Sequence, residues 1–421
     1  MERLSRHDLR HNLKLNSAHE FCWGFGMAFH TIYAIVPLFL KQLGAPTGVV
    51  VSVAGLFAIL MALPQLFSAL IGRNIRNIKS VAVGVHLLIW PPVFLMGFVF
   101  SFFAPTGPAA WIYFYACFIL YGLSIGFLIP IWTDFLRHAV NEESRGAFLG
   151  VSFAFNSIGG FIGGVLVKIL FSSSIAFPKN FGYGFFIYLI MIMIATILYL
   201  GLRIKSPEEK RPHKSVAEFF SETKNIIKTH INFRRYLSAR AFLTAIYPAI
   251  SLYAVFMQDK FHFDISTAGI FTILNVSAYG LSSYLSGKIG DKFGHKNAIV
   301  FSFSAHLLAV FTALFTTTMF GVYAVFIFLG IGLGSFMPAS MNMVYSFAGK
   351  SDSKLYMALV DTFLAPFILI AIFTAAYISE TFGTAQLFWV IAGMLCLGLL
   401  IMIFYVKDPG LTAKKTEQIL V

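Results

Sequence analysis

The sequence predicts an all-α polytopic membrane protein, with twelve transmembrane helices in two six-helix halves. Three observations carry that expectation. The 421 residues are 58% hydrophobic and 12% charged, with a mean hydropathy of +0.79; the charged share is about half that of a soluble chain. Apolar runs of about 20 residues, the helix length that crosses a hydrocarbon layer of about 30 Å, recur along the whole sequence. The later runs repeat glycine and proline positions of the earlier ones. A chain this apolar lacks the polar surface to cover itself in water. A soluble enzyme, a nucleic-acid binder and a disordered protein are therefore excluded.

The runs are, in order, 17–40, 48–71, 80–103, 109–137, 146–170, 181–203, 236–258, 265–287, 298–318, 321–347, 354–378 and 383–406. Each is read as a helix because backbone amides in lipid must find partners within their own segment. Span 1 holds Pro37, span 2 Pro64, span 3 the Pro91-Pro92 pair, span 4 Pro130 and span 7 Pro248. Prolines are tolerated in membrane helices, so none breaks the assignment. Spans 5 and 10 are rich in glycine, and spans 7 and 8 carry polar stripes.

Lysine and arginine fix the orientation. With the N-terminus inside, 27 of the 31 lie on the inner side and only Lys41, Lys168, Lys179 and Lys260 lie outside. The net charge of +13 is thus an inside-positive bias and no sign of nucleic-acid binding. The organisation expected is a cytoplasmic segment 1–16, an N-terminal half 17–203, a cytoplasmic linker 204–235, a C-terminal half 236–406 and a cytoplasmic tail 407–421. In the linker, Val216, Phe219, Phe220, Ile226, Ile227 and Ile231 recur at helical spacing among Lys214, Lys224 and Lys228. That pattern suits an amphipathic helix at the membrane surface or an ordinary solvated connector. Residues 1–16 are polar and basic with no cleavage site after them, so the first span serves as its own insertion signal. Cys22, Cys117 and Cys396 all fall within spans, which leaves no disulfide framework and no metal cluster. The only Asn-x-Ser/Thr sequon starts at Asn275, inside a span. A multi-pass location in a plasma (inner) membrane follows.

Self-comparison supports a duplication. Gly122, Gly126 and Pro130 match Gly330, Gly334 and Pro338 at an offset of 208, which sets Asp134 opposite Asn342. Ser68, Ile71 and Gly72 match Ser286, Ile289 and Gly290 at an offset of 218. Two related halves joined by a linker describe a secondary-transporter architecture.

After span 8 stands Gly287-Lys288-Ile289-Gly290-Asp291-Lys292-Phe293-Gly294-His295-Lys296. This resembles the loop signature of the major facilitator superfamily: Gly287, Asp291, Lys292, Gly294 and Lys296 fit it, and His295 departs from it. Glu143-Ser144-Arg145-Gly146 is similar to the family's short acidic-Arg-Gly turn. The resemblance extends over the span count, the central loop and both repeats. It implies that the glycines allow a tight turn and that Asp291 accepts amide hydrogens at a neighbouring helix N-terminus, near Gly146. In the first half Arg73 takes the place of Asp291, so Asp134 is expected to pair with Arg73, Arg76 or Arg145. In span 5, Gly159-Gly160-Phe161-Ile162-Gly163-Gly164 is similar to an exporter-associated motif, with Gly160 in place of its proline. Span 4 has no mid-membrane arginine of the kind many proton-driven drug exporters carry.

Intramembrane ionisable groups are costly and are functional candidates. Span 1 places Glu20, Trp23, Met27, His30 and Ala34 on one face. Span 7 places Arg240, Thr244, Tyr247, Ser251 and Gln258 on another, and Asp361 lies about 10 Å inside span 11 by helical rise. The resemblance implies that spans 1, 4, 7 and 10 line a central cavity. The candidate cavity residues are therefore His30, Trp23, Met27, Tyr121, Ser124, Tyr247 and Ser251, with Glu20, Asp134, Arg240 and Asp361 for ion coupling or an inner gate. Packing alone would also account for His30, and helix–helix contact for the span 7 stripe. His86 and His306, in spans 3 and 9, read as packing residues.

The function expected is secondary active transport of a small organic solute by alternating access, with a proton as candidate coupling ion, by a monomer embedded in lipid. The alternatives are an exporter of hydrophobic drug-like compounds and, more remotely, a non-transporting membrane sensor or scaffold. No enzyme, cofactor or metal is expected. Gly122-Leu123-Ser124-Ile125-Gly126 matches a hydrolase nucleophile elbow only in letters, because it lies within an apolar helix. The glycines at 330–334 have neither the strand nor the lysine of a phosphate loop.

Overall fold

The computed structural model describes residues 3–72, 77–141, 144–204, 216–349 and 353–410. Their regular structure is helical, with no strand among the described residues. The helices are α1 (Arg6–Met27), α2 (Ile35–Gln42), α3 (Thr47–Gly72), α4 (Ile78–Leu87), α5 (Trp90–Phe98), α6 (Pro108–Ala139), α7 (Arg145–Phe171), α8 (Lys179–Leu200), α9 (Val216–Thr229), α10 (Ile231–Leu243), α11 (Ile246–Phe261), α12 (Thr267–Phe293), α13 (His295–Phe315), α14 (Met319–Ala348), α15 (Ser353–Thr381) and α16 (Thr384–Phe404). The first, third and seventh expected spans are each interrupted. Span 1 is α1, a 3-10 turn at Ala28–His30 and α2; span 3 is α4 and α5 ending in a π-turn at Val99–Phe103; span 7 is α10 and α11.

The chain divides into two compact units. One comprises Met1–Val50, Phe57–Arg211 and His262–Ile273; the other comprises Val51–Leu56, Pro212–Phe261 and Leu274–Val421. The first unit packs α1 against α7 and α8, and α4 against α6. Close approach between α1 and α7 depends on glycine. A β-carbon on Gly159 would stand 2.1 Å from the Phe21 carbonyl oxygen, and one on Gly163 would stand 2.4 Å from that of Phe25. The exporter-like glycines of span 5 thus seat span 1, a use small residues serve in any membrane bundle.

In the second unit α13 packs on α14 and α16, and α12 is laced to α14 by side-chain hydrogen bonds. Asn275 Nδ2 donates to the Phe326 carbonyl (3.2 Å), Ser283 Oγ to that of Gly334 (2.9 Å) and Ser286 Oγ to that of Ser335 (2.8 Å). This lacing explains the polar stripe of span 8 as helix–helix contact. Eleven spans among the described residues are long and apolar enough to cross a membrane. The twelfth is α12: its 27 residues give about 40 Å of helix, and the laced serines and asparagine make it the least apolar.

The internal repeat is realised in the packing. A β-carbon on Gly122 would meet Leu60 Cβ at 2.9 Å, and one on Gly330 would meet Ala278 Cβ at 2.9 Å. One on Gly126 would meet the Met61 carbonyl oxygen at 2.7 Å, and one on Gly334 that of Tyr279 at 2.3 Å. Both pairs of contacts keep the offsets of 208 and 218 read from the sequence. Each half therefore seats its fourth span on its second through the same two glycines.

In the signature after span 8 a single glycine makes the turn. Gly287 and Asp291 lie within α12, and only Gly294, at φ +94°, makes the turn into α13. Gly290 is required for another reason, since a β-carbon there would meet His295 Nδ1 at 2.3 Å. Asp291 Oδ1 faces His295 Nε2 along its own helix end at 3.9 Å. The carboxylate that accepts the Lys296 amide at the start of α13 is Asp408 (2.9 Å), and Lys296 Nζ donates to the Ile403 carbonyl (2.7 Å). Asp134 faces Arg137 on its own helix at 3.4 Å; Arg73 and Arg76 lie outside the described residues. The linker holds the helix α9, in which Lys224 and Lys228 are exposed and Ile226 and Ile227 half-buried.

Candidate functional site

The two breaks in the first spans of each half share a sequence that the self-comparison did not single out. Ala34-Ile35-Val36-Pro37 opens α2 and Ala245-Ile246-Tyr247-Pro248 opens α11. In both, the proline falls in the first turn, where its missing N–H costs no hydrogen bond. The signal that could have found them is the repeated Ala-Ile-x-Pro. At the first break Thr31 has extended backbone and its Oγ1 accepts the Ile35 amide at 3.0 Å. At the second, Thr244 Oγ1 donates to the Ala241 carbonyl at 2.7 Å. Such paired interruptions expose backbone groups where a membrane transporter holds its solute.

His30 ends the first break. It is fully buried in the first unit, and neither ring nitrogen has a hydrogen-bond partner. Five aromatic rings surround it: Tyr121 at 4.6 Å between centroids, Phe118 at 5.7 Å, Tyr188 at 5.8 Å, Phe185 at 6.1 Å and Phe114 at 6.4 Å. The hydroxyls of Tyr121 and Tyr188 are hydrogen-bonded to each other at 2.5 Å, and Met27 Sδ lies 3.3 and 3.0 Å from them, accepting from the one whose proton is left. The structure thus brings together three of the sequence candidates, Met27, His30 and Tyr121, and adds Tyr188, which the sequence reading missed. Ser124 turns elsewhere: its Oγ donates to the carbonyls of Leu120 (2.8 Å) and Leu88 (3.1 Å), the latter at the break in span 3.

Glu20 and Trp23 join a separate group. Glu20 accepts Asn156 Nδ2 at 2.9 Å and faces His19 Nδ1 at 3.3 Å, and Trp23 stacks on His19. Glu20 is therefore turned into its own unit.

At the second break, Arg240 is half-buried. Its guanidinium lies 4.4 Å over the ring of Phe336 and donates to the Tyr236 hydroxyl at 3.0 Å. Asp361 is exposed and interacts electrostatically with Arg240, and both act on the half-buried Tyr247. A cation, a carboxylate and a phenol so placed can bind a polar or zwitterionic solute. Phe336 and Tyr236 were not sequence candidates. Ser251 is fully buried and committed to packing: its Oγ accepts the Ala54 amide at 2.9 Å. No group of histidine, cysteine and carboxylate side chains among the described residues could hold a metal ion.

The family model of the major facilitator superfamily matches residues 21–164, 91–256 and 237–419. The chain belongs to the major facilitator superfamily. It is a multi-pass membrane protein with the fold of that superfamily's transporters. Among curated proteins none matches it. Solved structures similar in fold include the nucleoside transporter NupG (13% identity, 94% of this chain and 99% of that one, TM-score 0.68). A POT family transporter in complex with 5-aminolevulinic acid (12%, 96% and 97%, TM-score 0.70) and a D-xylose-proton symporter (14%, 96% and 99%, TM-score 0.66) are similar as well.

Proposed function

We propose that the protein is a secondary active transporter that moves a small organic solute across a plasma membrane by alternating access, with a proton as coupling ion. The termini and the linker face the cytoplasm. The observation that carries the reading is the pair of matched helix breaks at the start of each half, each beside polar groups inside a span. Superfamily membership and the inside-positive charge support it.

The solute contacts the second-half group of Arg240, Tyr247 and Asp361, and the Met27–His30–Tyr121 nest of the first half adjusts around the break. Arg240 and Asp361 exchange their mutual attraction for contacts with the solute, so binding shifts the population of states. Solved structures similar to this chain carry polar cargo in their names, a nucleoside, D-xylose and 5-aminolevulinic acid. The exporter reading has no comparable support, since the span 5 glycines are explained by close packing on α1.

A compound library screened for thermal stabilisation tests the reading, because a ligand that binds only the folded state raises stability by mass action. A stabilising compound is expected to enter proteoliposomes containing the protein and to carry protons with it. A compound that binds but crosses no bilayer under any ion gradient overturns the reading.

A further inference from the structure

Beside the site just described, α1 and α4 bring two histidines and a carboxylate into the interior of the first unit. His19 is 2% exposed, Glu20 4% and His86 0%. His19 Nδ1 lies 3.3 Å from Glu20 Oε1, and the His19 and His86 rings meet edge-to-face at 5.7 Å. The His19 ring stacks on Tyr199 of α8 at 3.8 Å, and His86 meets the same tyrosine edge-on at 5.0 Å.

The hydrogen bonds define the protonation state. His86 Nδ1 lies 2.6 Å from the Ala82 carbonyl. A carbonyl only accepts, so Nδ1 carries the proton, and in the neutral ring Nε2 is a bare acceptor. That Nε2 is buried without a partner, and both ring nitrogens of His19 are buried without a hydrogen bond as well, Nδ1 standing at ion-pair distance from Glu20. Glu20 is held by Asn156 Nδ2 at 2.9 Å on its other oxygen. An amide can support a buried carboxylate but cannot neutralise it. A buried charge left unneutralised is costly, whereas a paired one is tolerated.

Of the other ionisable groups on these elements, Tyr199 faces the cluster and interacts electrostatically with Glu20, and several more have partners elsewhere. Tyr199, on α8, accepts Trp132 Nε1 of α6 at 2.5 Å. On α4, Lys79 lies two turns before His86 and donates to the Leu202 carbonyl at 3.1 Å. On α6, Asp134 faces Arg137, and His138 Nδ1 bonds the Asp134 carbonyl. On α1, Asp8 pairs with Arg203, and on α7 Ser152 bonds Asn16.

We propose that His19, Glu20 and His86 form a single proton-binding site: one proton from water adds to a histidine ring nitrogen, and the imidazolium is neutralised by the Glu20 carboxylate. His19 takes the proton because it faces Glu20. With only one carboxylate present and the two rings in contact, a second proton is excluded. The only bond formed is the N–H bond of the imidazolium, and the net charge of the site steps between −1 and 0. It deepens the proton-coupled reading above by naming the proton's seat, yet proton binding can be measured without any solute.

The experiment is histidine NMR on the full chain, labelled at the imidazole carbons and nitrogens, in lipid nanodiscs between pH 5 and 9. His19→Gln and His86→Gln assign the two signals among the eleven histidines. One of the two, His19, is expected to charge in that range while His86 stays neutral. Glu20→Gln keeps the Asn156 contact and should raise the proton concentration at the midpoint at least tenfold. Melting curves of each variant verify folding, and wild-type titration stands by itself if a variant fails to fold. Two rings that stay neutral throughout overturn the site, and so does a midpoint unmoved by Glu20→Gln. Proton binding without solute-driven proton movement would keep the site and remove the coupling reading.

Discussion

Gly334 lies against the backbone of Tyr279: a β-carbon at 334 would stand 2.3 Å from the Tyr279 carbonyl oxygen. Backbone cannot swing aside as a side chain can, so Gly334→Ala must push α12 and α14 apart. The expected cost is about 1–3 kcal/mol, the usual range for an overpacked core. Gly287→Ala is the control, because a β-carbon there meets nothing within 4 Å. It should leave stability unchanged or raise it by up to about 1 kcal/mol through helix propensity. Thermal melts of the two variants in one detergent check both.

The cap of α13 belongs to Asp408. Asp408→Ala removes the acceptor of the Lys296 amide and should cost about 0.5–2 kcal/mol. Asp291 is 80% exposed, and the pair it makes with His295 lies at the surface, where exposed ion pairs are of small worth. Asp291→Ala should therefore change stability by no more than about 1 kcal/mol. If Asp291→Ala nevertheless stops uptake, its role lies in the transport cycle.

His30 has two buried nitrogens without partners among five aromatic rings. A phenylalanine would keep the ring contacts and drop the desolvated polar atoms. His30→Phe is expected to raise stability by about 1–2 kcal/mol and to lower uptake of a stabilising solute at least tenfold. Higher stability with full uptake would make His30 a packing residue.

Arg240 and Asp361 should behave as one unit. Each single alanine substitution should lower uptake strongly, and the double variant should lose little more, the non-additivity expected of two charges that act on each other. Arg240→Lys keeps the charge but loses the planar contact with Phe336 and the reach to Tyr236, so it should restore only part of the activity. Initial rates in proteoliposomes check the cycle.

The spans and the repeat were legible because they rest on local composition. Gly122, Gly126, Gly330 and Gly334 are small wherever the chain is read, and their offset survives without knowledge of the fold. The broken first spans were also written in the sequence, as Ala34-Ile35-Val36-Pro37 and Ala245-Ile246-Tyr247-Pro248, but three residues repeated 211 positions apart are a faint signal. His19 was overlooked, since one histidine beside one glutamate in an apolar run looks like a helix end until α4 and α8 bring His86 and Tyr199 onto it.

By itself the sequence determined that the chain is a bundle of membrane-crossing helices built from two related halves. Hydropathy and charge act through the bilayer, a solvent that every residue meets regardless of its neighbours. Only the tertiary structure decided which polar groups are spent on packing and which are left over. Ser124, Ser251 and the α12 serines are committed to backbone partners, whereas His30 and the His19–Glu20–His86 cluster keep buried nitrogens without hydrogen-bond partners. That division depends on which helices lie side by side, and a hydrogen bond across helices is set by distances of a few ångströms that no local pattern encodes.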